Sequence, residues 1–325
     1  MRKSGRVPAV AAALLVAGLA CTSAHAQKDY PSKSIRLIVP FAPGGGTDIV
    51  ARVLAQKLTE AFMQTVIVDN RAGGGGTIGA EIAVRATPDG YTAIIMSGSY
   101  ATNAAMYKLP YDPVSDILPM GLIGDTAFIV ALHPGVPIKS VAELVAYAKA
   151  KPGALNYGSS GTGGIAHLSG ALFDLLAATK MTHVAYKGTG PALNDLLGGQ
   201  VQAGILVMGT VRPHIQAGKL RALAVVESTR AKAMPNLPTV GEDIPGYAMP
   251  TLWCGIVGPR GLPSAIVSRL NAEIARTLVT PQVAKRLEAL GYEVTGSSPE
   301  QFAEIMKSTT EAYRRITSAA GIKPQ

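Results

Sequence analysis

Two glycine-rich turns carry the residues whose types and spacing could bind a ligand. Each follows an apolar strand and opens a helix: the first turn runs from Pro43 to Asp48, and the second from Gly158 to Gly164. Turns without bulky side chains let backbone N–H groups approach a ligand, and a helix N-terminus adds partial positive charge. Because the turns lie about a domain's length apart, we expect two lobes to hold one anionic ligand between them.

Three side chains near these turns have more than one interpretation. The Thr47 hydroxyl can donate to a ligand at the helix mouth, which is the interpretation we favour, or it can cap the helix. Asp48 would repel a bound carboxylate, so it either caps the helix or meets an ammonium group of the ligand. His167 can donate to a carboxylate, or it lies on the helix surface or bonds to the backbone.

A third strand, polar glycine turn and helix start follows around residues 182–192. Lys187 can attract an anion or remain solvated, and Thr189 can add a hydroxyl donor from the second lobe. These residues would extend the anion cradle that the second glycine turn begins.

Nucleotide, metal and catalytic chemistry are disfavoured. The first turn lacks the Lys-Ser/Thr of a phosphate-binding loop. Two segments, 74–79 and 161–166, match the dinucleotide fingerprint formally, but the first lies six residues beyond its strand and the second lacks the acidic residue about 20 positions later. The histidines have no metal-ligand spacing, and there is no nucleophile elbow. We therefore expect no cofactor, no metal and no enzyme activity.

The N-terminus has the pattern of a secretory signal peptide. A basic start, an apolar stretch from Val10 to Ala20 and the sequence Ala24-His25-Ala26 predict cleavage after Ala26. The mature chain would keep 325 − 26 = 299 residues and be soluble in the periplasm. A lipoprotein anchored through Cys21 is the alternative; Gly18 disfavours it, because a large aliphatic residue belongs at that position.

Charge and cysteine content narrow the partners further. The net charge of +9 includes three cations in the signal peptide, which leaves 9 − 3 = +6, dispersed along the mature chain. This pattern disfavours nucleic acid, and a mild positive field attracts small anions. Cys254 is the one cysteine left after cleavage, so no internal disulfide can form.

Short apolar strands alternate with amphipathic helices, which predicts an α/β fold with largely parallel sheets. The predicted strands are 35–39, 66–68, 92–96, 128–132, 155–157, 182–185, 203–207, 221–226 and 255–257. The predicted helices include 47–62, 140–150, 263–279 and 298–319. The last helix is expected to return to the first lobe, which makes that lobe discontinuous.

Several motifs resemble the periplasmic solute receptors of tripartite tricarboxylate transporters, often called Bug receptors. They are Tyr30-Pro31-Ser32-Lys33, 38–45, 69–74, 88–92, 111–114, 151–153, 186–188, 195–201, 213–215, 217–224 and 238–240. The resemblance covers nearly the whole mature chain. It implies a two-lobed periplasmic binding protein, a Venus flytrap of type II topology, with chain crossings near residues 126 and 250.

The resemblance also implies the domain boundaries, the ligand and the partners. Lobe 1 would comprise residues 27–126 plus 251–325, and lobe 2 residues 127–250. A monomeric receptor would capture a small carboxylate by closing and deliver it to membrane permease subunits. The predicted ligand-binding residues are Gly44, Gly45, Gly46, Thr47, Asp48, Ser159, Ser160, Gly161, Thr162, Gly163, His167, Thr189 and Met208.

Two departures from the family pattern bear on the ligand. Apolar residues occupy 205–208 where many relatives are polar, and Cys254-Gly255 follows Trp253 where many have an aromatic residue. If these positions line the distal pocket, the ligand's far end is less hydrophilic than citrate, as in an aromatic or aliphatic acid. Two other functions stay open: the same fold serving a membrane sensor, and an exported hydrolase.

Overall fold

The computed structural model describes residues 30–319, which form two mixed β-sheets flanked by helices. The predicted signal peptide, its cleavage site and Cys21 lie outside the described residues. The strands are β1 (Ile35–Val39), β2 (Val66–Asn70), β3 (Thr92–Ser97), β4 (Ile117–Thr126), β5 (Phe128–Leu132), β6 (Asn156–Ser159), β7 (Thr182–Ala185), β8 (Ala203–Val207), β9 (Arg221–Val225), β10 (Leu252–Pro259) and β11 (Glu293–Val294).

The helices agree with the four predicted ones to within a residue at each end. They are α1 (Gly46–Phe62), α2 (Thr77–Val84), α3 (Ser99–Met106), α4 (Val141–Ala150), α5 (Ile165–Ala177), α6 (Thr189–Leu197), α7 (Met208–Gln216), α8 (Val240–Asp243), α9 (Ser264–Leu278), α10 (Pro281–Ala289) and α11 (Pro299–Ala319). A short 3₁₀ turn, Gly74–Gly76, precedes α2. None of the helices described has both the length and the apolar character that crossing a membrane requires.

Each sheet contains one inserted strand that runs antiparallel to both of its neighbours, and in the first sheet the edge strand β11 is also antiparallel to β4. The first sheet has the order β11-β4-β10-β3-β1-β2, and β10 runs antiparallel to β3 and β4. The second has the order β7-β6-β8-β5-β9, and β5 runs antiparallel to β8 and β9. The expectation of largely parallel sheets was therefore wrong in part, because each inserted strand follows a passage of the chain between the sheets.

Strand β4 is absent from the sequence-based prediction, although it is the longest strand. Pro119, Gly121 and Gly124 interrupt its apolar pattern and read as turn residues. The structure gives Gly124 a packing reason: a Cβ there would collide with the backbone of Glu293 on β11. The missed strand therefore reflects a close approach between backbones, which local propensity does not report.

The chain passes between the sheets twice, which makes the first lobe discontinuous. It leaves the first sheet after β4, forms β5 to β9 in the second, and returns as β10. Helix α11 then packs on α3 and β4, with the Phe302 ring edge-on to the fully buried Trp253 at 5.2 Å between centroids. The predicted two-lobed α/β fold is confirmed, while the residue boundaries of the lobes stay a prediction.

The two passages are joined by a buried carboxyl group. Both oxygens of Glu227, which follows β9, accept from the Phe128 N–H at 3.0 and 3.2 Å. Burial raises the pKa of Glu227 to about 8, against the hydrogen bond from Phe128. At neutral pH this group is therefore mostly protonated, and its hydrogen bond from Phe128 links the two passages of the chain between the sheets.

Candidate ligand-binding site

Five helices begin from a glycine N-cap, and all five begin at the contact between the lobes. The N-caps are Gly45 for α1, Gly76 for α2, Gly98 for α3, Gly164 for α5 and Gly188 for α6. None is a side-chain acceptor for the first-turn N–H groups, in contrast to Ser140, which accepts from Glu143 N at the start of α4. These helix starts therefore keep N–H donors available to a ligand.

A small cavity between the lobes is lined by hydroxyl groups. Its lining residues are Phe41, Gly45, Gly46, Thr47, Ser97, Ser99, Phe128, Ser160, Thr189 and Val207, and its volume of about 10 Å³ leaves room for the centre of about one water molecule. Four of the five hydroxyl residues are at least nine-tenths buried. Both lobes contribute to this lining.

None of these five hydroxyls hydrogen-bonds to another group within residues 30–319. Hydroxyls close by behave differently: Thr102 donates to Ser99 O at 2.9 Å, and Thr210 donates to Val207 O at 2.7 Å. The five residues line the cavity, so their unpaired hydroxyls are available as donors to an acceptor from outside the chain. Ser99 and Ser160 approach the cavity from opposite lobes, flanking Gly164.

A larger cavity adjoins the first and shares Phe41 and Ser160 with it. It measures about 200 Å³ and lies between the glycine run 73–76 of one lobe and residues 160–162 and 185–187 of the other. All four glycines of the run have positive φ, which L side chains rarely adopt. Lys187 is the cationic residue among those lining this cavity.

The lobes touch each other directly around these cavities. Ala42 N donates to Lys187 O at 2.8 Å, which joins the first turn to the third. A Cβ on Gly190 would lie 2.8 Å from Pro43 O, and one on Gly46 would lie 3.0 Å from Val207 Cγ1. Small residues on both lobes thus allow a closed arrangement, in which the lining groups are held within a few ångströms of each other.

A buried carboxylate fixes the first glycine turn from inside the protein. Asp48 Oδ2 accepts from Gly44 N at 3.0 Å and from Arg52 Nε at 3.1 Å, and Oδ1 accepts from Asn70 Nδ2 at 2.9 Å. Burial alone would raise the pKa of Asp48, but these hydrogen bonds and the Arg52 charge lower it below its ordinary value. Asp48 is therefore ionised and its oxygens point to protein donors.

Two imidazoles fix the second glycine turn. Ser159 Oγ lies 2.6 Å from His183 Nε2, and Gly163 N donates to His167 Nδ1 at 3.1 Å. The two rings stack with centroids 4.2 Å apart. Burial lowers the pKa of both histidines, to about 4 for His183, where the neighbouring His167 adds to the effect. Both rings are therefore neutral at pH 7, and His167 Nδ1 is an acceptor.

The structure brings some predicted site residues together and separates others. Gly45, Gly46, Thr47, Ser160 and Thr189 meet at the small cavity, and Gly161 and Thr162 line the adjoining one.

The remaining predicted residues line neither cavity. Gly44, Asp48, Ser159, Gly163 and His167 form the hydrogen bonds that hold the two turns. Met208 is fully buried in the second lobe's core, and its sulfur packs at Gly291 and not at either cavity. Which of these residues contact a ligand stays a prediction.

Sequence reasoning missed several lining residues. Ser97 ends β3 and Ser99 follows it, at the same sheet edge as the first turn. Polar residues at the end of a buried apolar strand are a signal that could have found them. The glycine run 73–76 looked like an imperfect dinucleotide motif, yet it lines the adjoining cavity.

Of the two departures from the family pattern, one lies at a cavity and the other does not. Val207 and Phe128 give the small cavity an apolar wall. Trp253 and Cys254 are buried in the first lobe's interior and line neither cavity. Only the 205–208 departure can therefore act on a ligand by direct contact in this arrangement.

Comparison with known proteins identifies the family. Residues 50–322 match the family model described as "Tripartite tricarboxylate transporter family receptor". BugT of Bordetella pertussis is 35% identical over 299 residues, which cover 90% of this chain and 91% of BugT.

Two solved structures with bound ligands share the fold. Rpa4515 of R. palustris, solved with adipate, has a TM-score of 0.85 and 35% identity, covering 91% of this chain and 100% of that one. MatC from Rhodopseudomonas palustris, solved with malate, has a TM-score of 0.82 and 30% identity, covering 88% and 99%. The chain therefore belongs to the family of tripartite tricarboxylate transporter receptors, and it is a solute-binding receptor, not an enzyme.

Proposed function

We propose that this receptor captures a small carboxylate in the periplasm and delivers it to the membrane permease of a tripartite transporter. The observation that carries the proposal is the set of five unpaired hydroxyls around one cavity between the lobes, three of which (Thr47, Ser99 and Thr189) lie in the first turn of a glycine-capped helix. Hydroxyls and helix N-termini donate hydrogen bonds, and a carboxylate accepts up to about four. Adipate and malate, the ligands of Rpa4515 and MatC, are both carboxylates.

The hydrogen bonds that form when the lobes close stabilise the bound ligand. Thr47 belongs to the first lobe, whereas Ser160 and Thr189 belong to the second, so the donor set is complete only when the lobes meet. Closure also removes water from the carboxylate, which strengthens each charge-assisted hydrogen bond. Because the small cavity measures about 10 Å³, the ligand enters while the lobes are apart.

The adjoining cavity holds the body of the ligand. Its 200 Å³ suits a short-chain acid, with the first carboxylate at the hydroxyls and the far end toward the glycine run and Lys187. The receptor therefore distinguishes one acid from another by its contacts with the end of the ligand that lies away from the first carboxylate. An apolar chain would meet Phe41, and a second carboxylate would gain from Lys187.

A thermal-shift screen of the refolded mature protein tests the carboxylate assignment. Adipate, malate, citrate, hexanoate and benzoate are compared, each beside its amide. A ligand at 100 times its dissociation constant adds about 2.7 kcal/mol, so we expect a clear rise in Tm for at least one acid and none for its amide. No rise with any acid would contradict the assignment.

A single hydroxyl deletion tests the site. Ser160→Ala is expected to weaken binding of the best acid by about 1–2 kcal/mol, since a charge-assisted hydrogen bond is lost. Ser308→Ala is the matched control, because its hydroxyl is exposed on α11 and bonds only to Ile305 O. Equal affinities of the two variants would remove Ser160 from the site.

Delivery is tested in cells. The chain is expected to restore uptake of the labelled acid in a strain from which it has been deleted. Restored transcription of target genes without restored uptake would favour a sensory role instead.

A further inference from the structure

A basic groove runs along the outside of the first lobe, away from the two cavities between the lobes. Its volume is about 630 Å³, and its walls are one face of α1 and one face of α10. The lining residues are Ile49, Arg52, Val53, Gln56, Lys57, Gln282, Val283, Lys285, Arg286 and Ala289. On α1 they recur at three- and four-residue spacing, which gives a face about 12 Å long.

The groove combines an apolar floor with positive charge. Ile49, Val53 and Val283 supply apolar surface, and the lining contains four cations and no acidic residue. Two of these cations have partners, since Arg52 pairs with Asp48 and Lys57 pairs with Glu60.

The other two cations, Lys285 and Arg286, do not stabilise the fold through side-chain contacts with charged or polar groups among the residues described. Within residues 30–319, the side chains of Lys285 and Arg286 have neither an ion pair nor a hydrogen bond, and both residues are exposed. An amphipathic surface of this kind complements an acidic amphipathic segment.

Both walls of the groove reach the second lobe. Helix α1 begins at Gly46, beside Val207, and the chain after α10 reaches Gly291, where a Cβ would lie 2.7 Å from Met208 Sδ. Arg212 on α7 donates to Glu288 O at 3.3 Å, which ties the end of α10 to the second lobe. The relative position of the walls is thus coupled to closure of the lobes.

We propose that this groove docks a short acidic segment of the membrane permease, and that it does so in the closed form. The inference rests on the proposed function, because it names the surface through which delivery would occur. A second copy of the chain is disfavoured as the occupant, since the chain is basic overall and every charged side chain that lines the groove is positive.

Charge reversal at the two unused cations tests the inference. In the deletion strain, Lys285→Glu/Arg286→Glu is expected to lower uptake about tenfold or more, while the acid's dissociation constant stays within about twofold. The matched control is Arg314→Glu/Arg315→Glu, two adjacent exposed cations on α11 of the same lobe. Uptake should stay near the wild-type level in the control.

A milder variant and a direct contact measurement keep the test independent of folding. Lys285→Gln/Arg286→Gln should lower uptake partly without lowering Tm. A photo-crosslinking residue at Gln282 should attach to an acidic segment of the permease, whereas one at the exposed Ser318 should not. Crosslinks to a neutral or basic segment, or uptake unchanged in both groove variants, would overturn the proposal.

Other occupants give distinct results. Sedimentation with vesicles of phosphatidylglycerol and phosphatidylethanolamine that is lost in the reversal variant would assign the groove to a lipid surface and overturn the proposal. A wild-type dimer that the reversal dissociates would assign it to a second copy. A wild-type chain that binds the acid but restores no uptake would instead overturn the proposed function, and this inference with it.

Discussion

The two glycine turns both lead from a strand into a helix, yet one is held by a charged side chain and the other by neutral ones. The first is held by the ionised carboxylate of Asp48, which accepts from Gly44 N, Arg52 and Asn70. The second is held by the neutral imidazoles of His167 and His183. Glycines have no side chains that could fix a turn, so each lobe supplies the hydrogen bonds from neighbouring side chains, which are buried at Asp48 and partly buried at the two histidines.

The difference predicts different responses to pH. We call the hydrogen bonds of Asp48 the first brace and those of His167 and His183 the second brace. The pKa of Asp48 lies below its ordinary value, so the first brace persists through mildly acidic conditions. The pKa of His183 is lowered to about 4 by burial and by His167, from 6.5 in the unfolded chain. The second brace therefore loses its stabilising contribution across a pH range in which the first does not.

The largest expected effect follows removal of the first brace. Asp48→Ala would leave Gly44 N, Arg52 and Asn70 without their shared acceptor, and we expect a loss of about 2–3 kcal/mol in the free energy of unfolding, measured in urea. Asp243→Ala is the control, because Asp243 is exposed. If both variants lose the same small amount, the carboxylate does not hold the turn.

The second prediction concerns a variant that should hinder closure of the lobes without lowering the stability of the protein. Gly190→Ala places a Cβ 2.8 Å from Pro43 O, which is backbone of the opposite lobe and cannot move aside cheaply. We expect affinity for the carboxylate to fall by about 2 kcal/mol, measured by calorimetry, with Tm nearly unchanged because open lobes relieve the clash. Gly198→Ala, at the other end of α6, should bind normally, since its added Cβ would meet Asn194 O at 3.4 Å. Normal binding by Gly190→Ala would show that the lobes need not approach this closely.

How far the sequence could predict these braces depends on whether the contact is local. The fold class, the helices and both glycine turns follow from patterns within one segment. The sequence offered Asp48 as a helix cap or as a contact for a ligand ammonium group. In the structure Gly45 is the N-cap without a side-chain hydrogen bond, and Asp48 instead accepts from Gly44 N, four residues before it. His183 is 24 residues from Ser159, and no spacing rule connects them. Ser97 and Ser99 reach the cavity through sheet order, which places β3 beside β1 and cannot be deduced from local periodicity.

The third prediction concerns the second brace and pH. The groups facing His183 are Ser159 and Tyr157 on β6 and His167 on α5. Because the folded pKa is lowered, the contribution of His183 is complete above about pH 6.5 and is lost as the pH falls to about 4. We expect a loss of about 1–2 kcal/mol across that range, less than the full shift implies because the ring is partly exposed.

The difference between the wild type and His183→Gln isolates this contribution. Glu227, whose pKa is raised to about 8, acts with the opposite sign: its contribution is complete below about pH 4.5 and is lost as the pH rises. Subtracting the two unfolding curves removes Glu227, which both proteins share. A difference independent of pH between 4 and 6.5 would contradict the assignment of His183.

The last and smallest change that we predict is a loss of ligand affinity when one hydroxyl is removed from either lobe. Thr47→Val and Thr189→Val remove the same group from opposite lobes. Both residues line the small cavity, and neither hydroxyl has a hydrogen-bond partner among the residues described. If one carboxylate bridges the lobes, each substitution should weaken binding by about 1 kcal/mol, measured by calorimetry on the acid that the screen identifies. A loss in one variant alone would mean that a single lobe holds the carboxylate. Closure would then act on the ligand's far end, beside Lys187, and the two turns would differ in function as well as in how they are held.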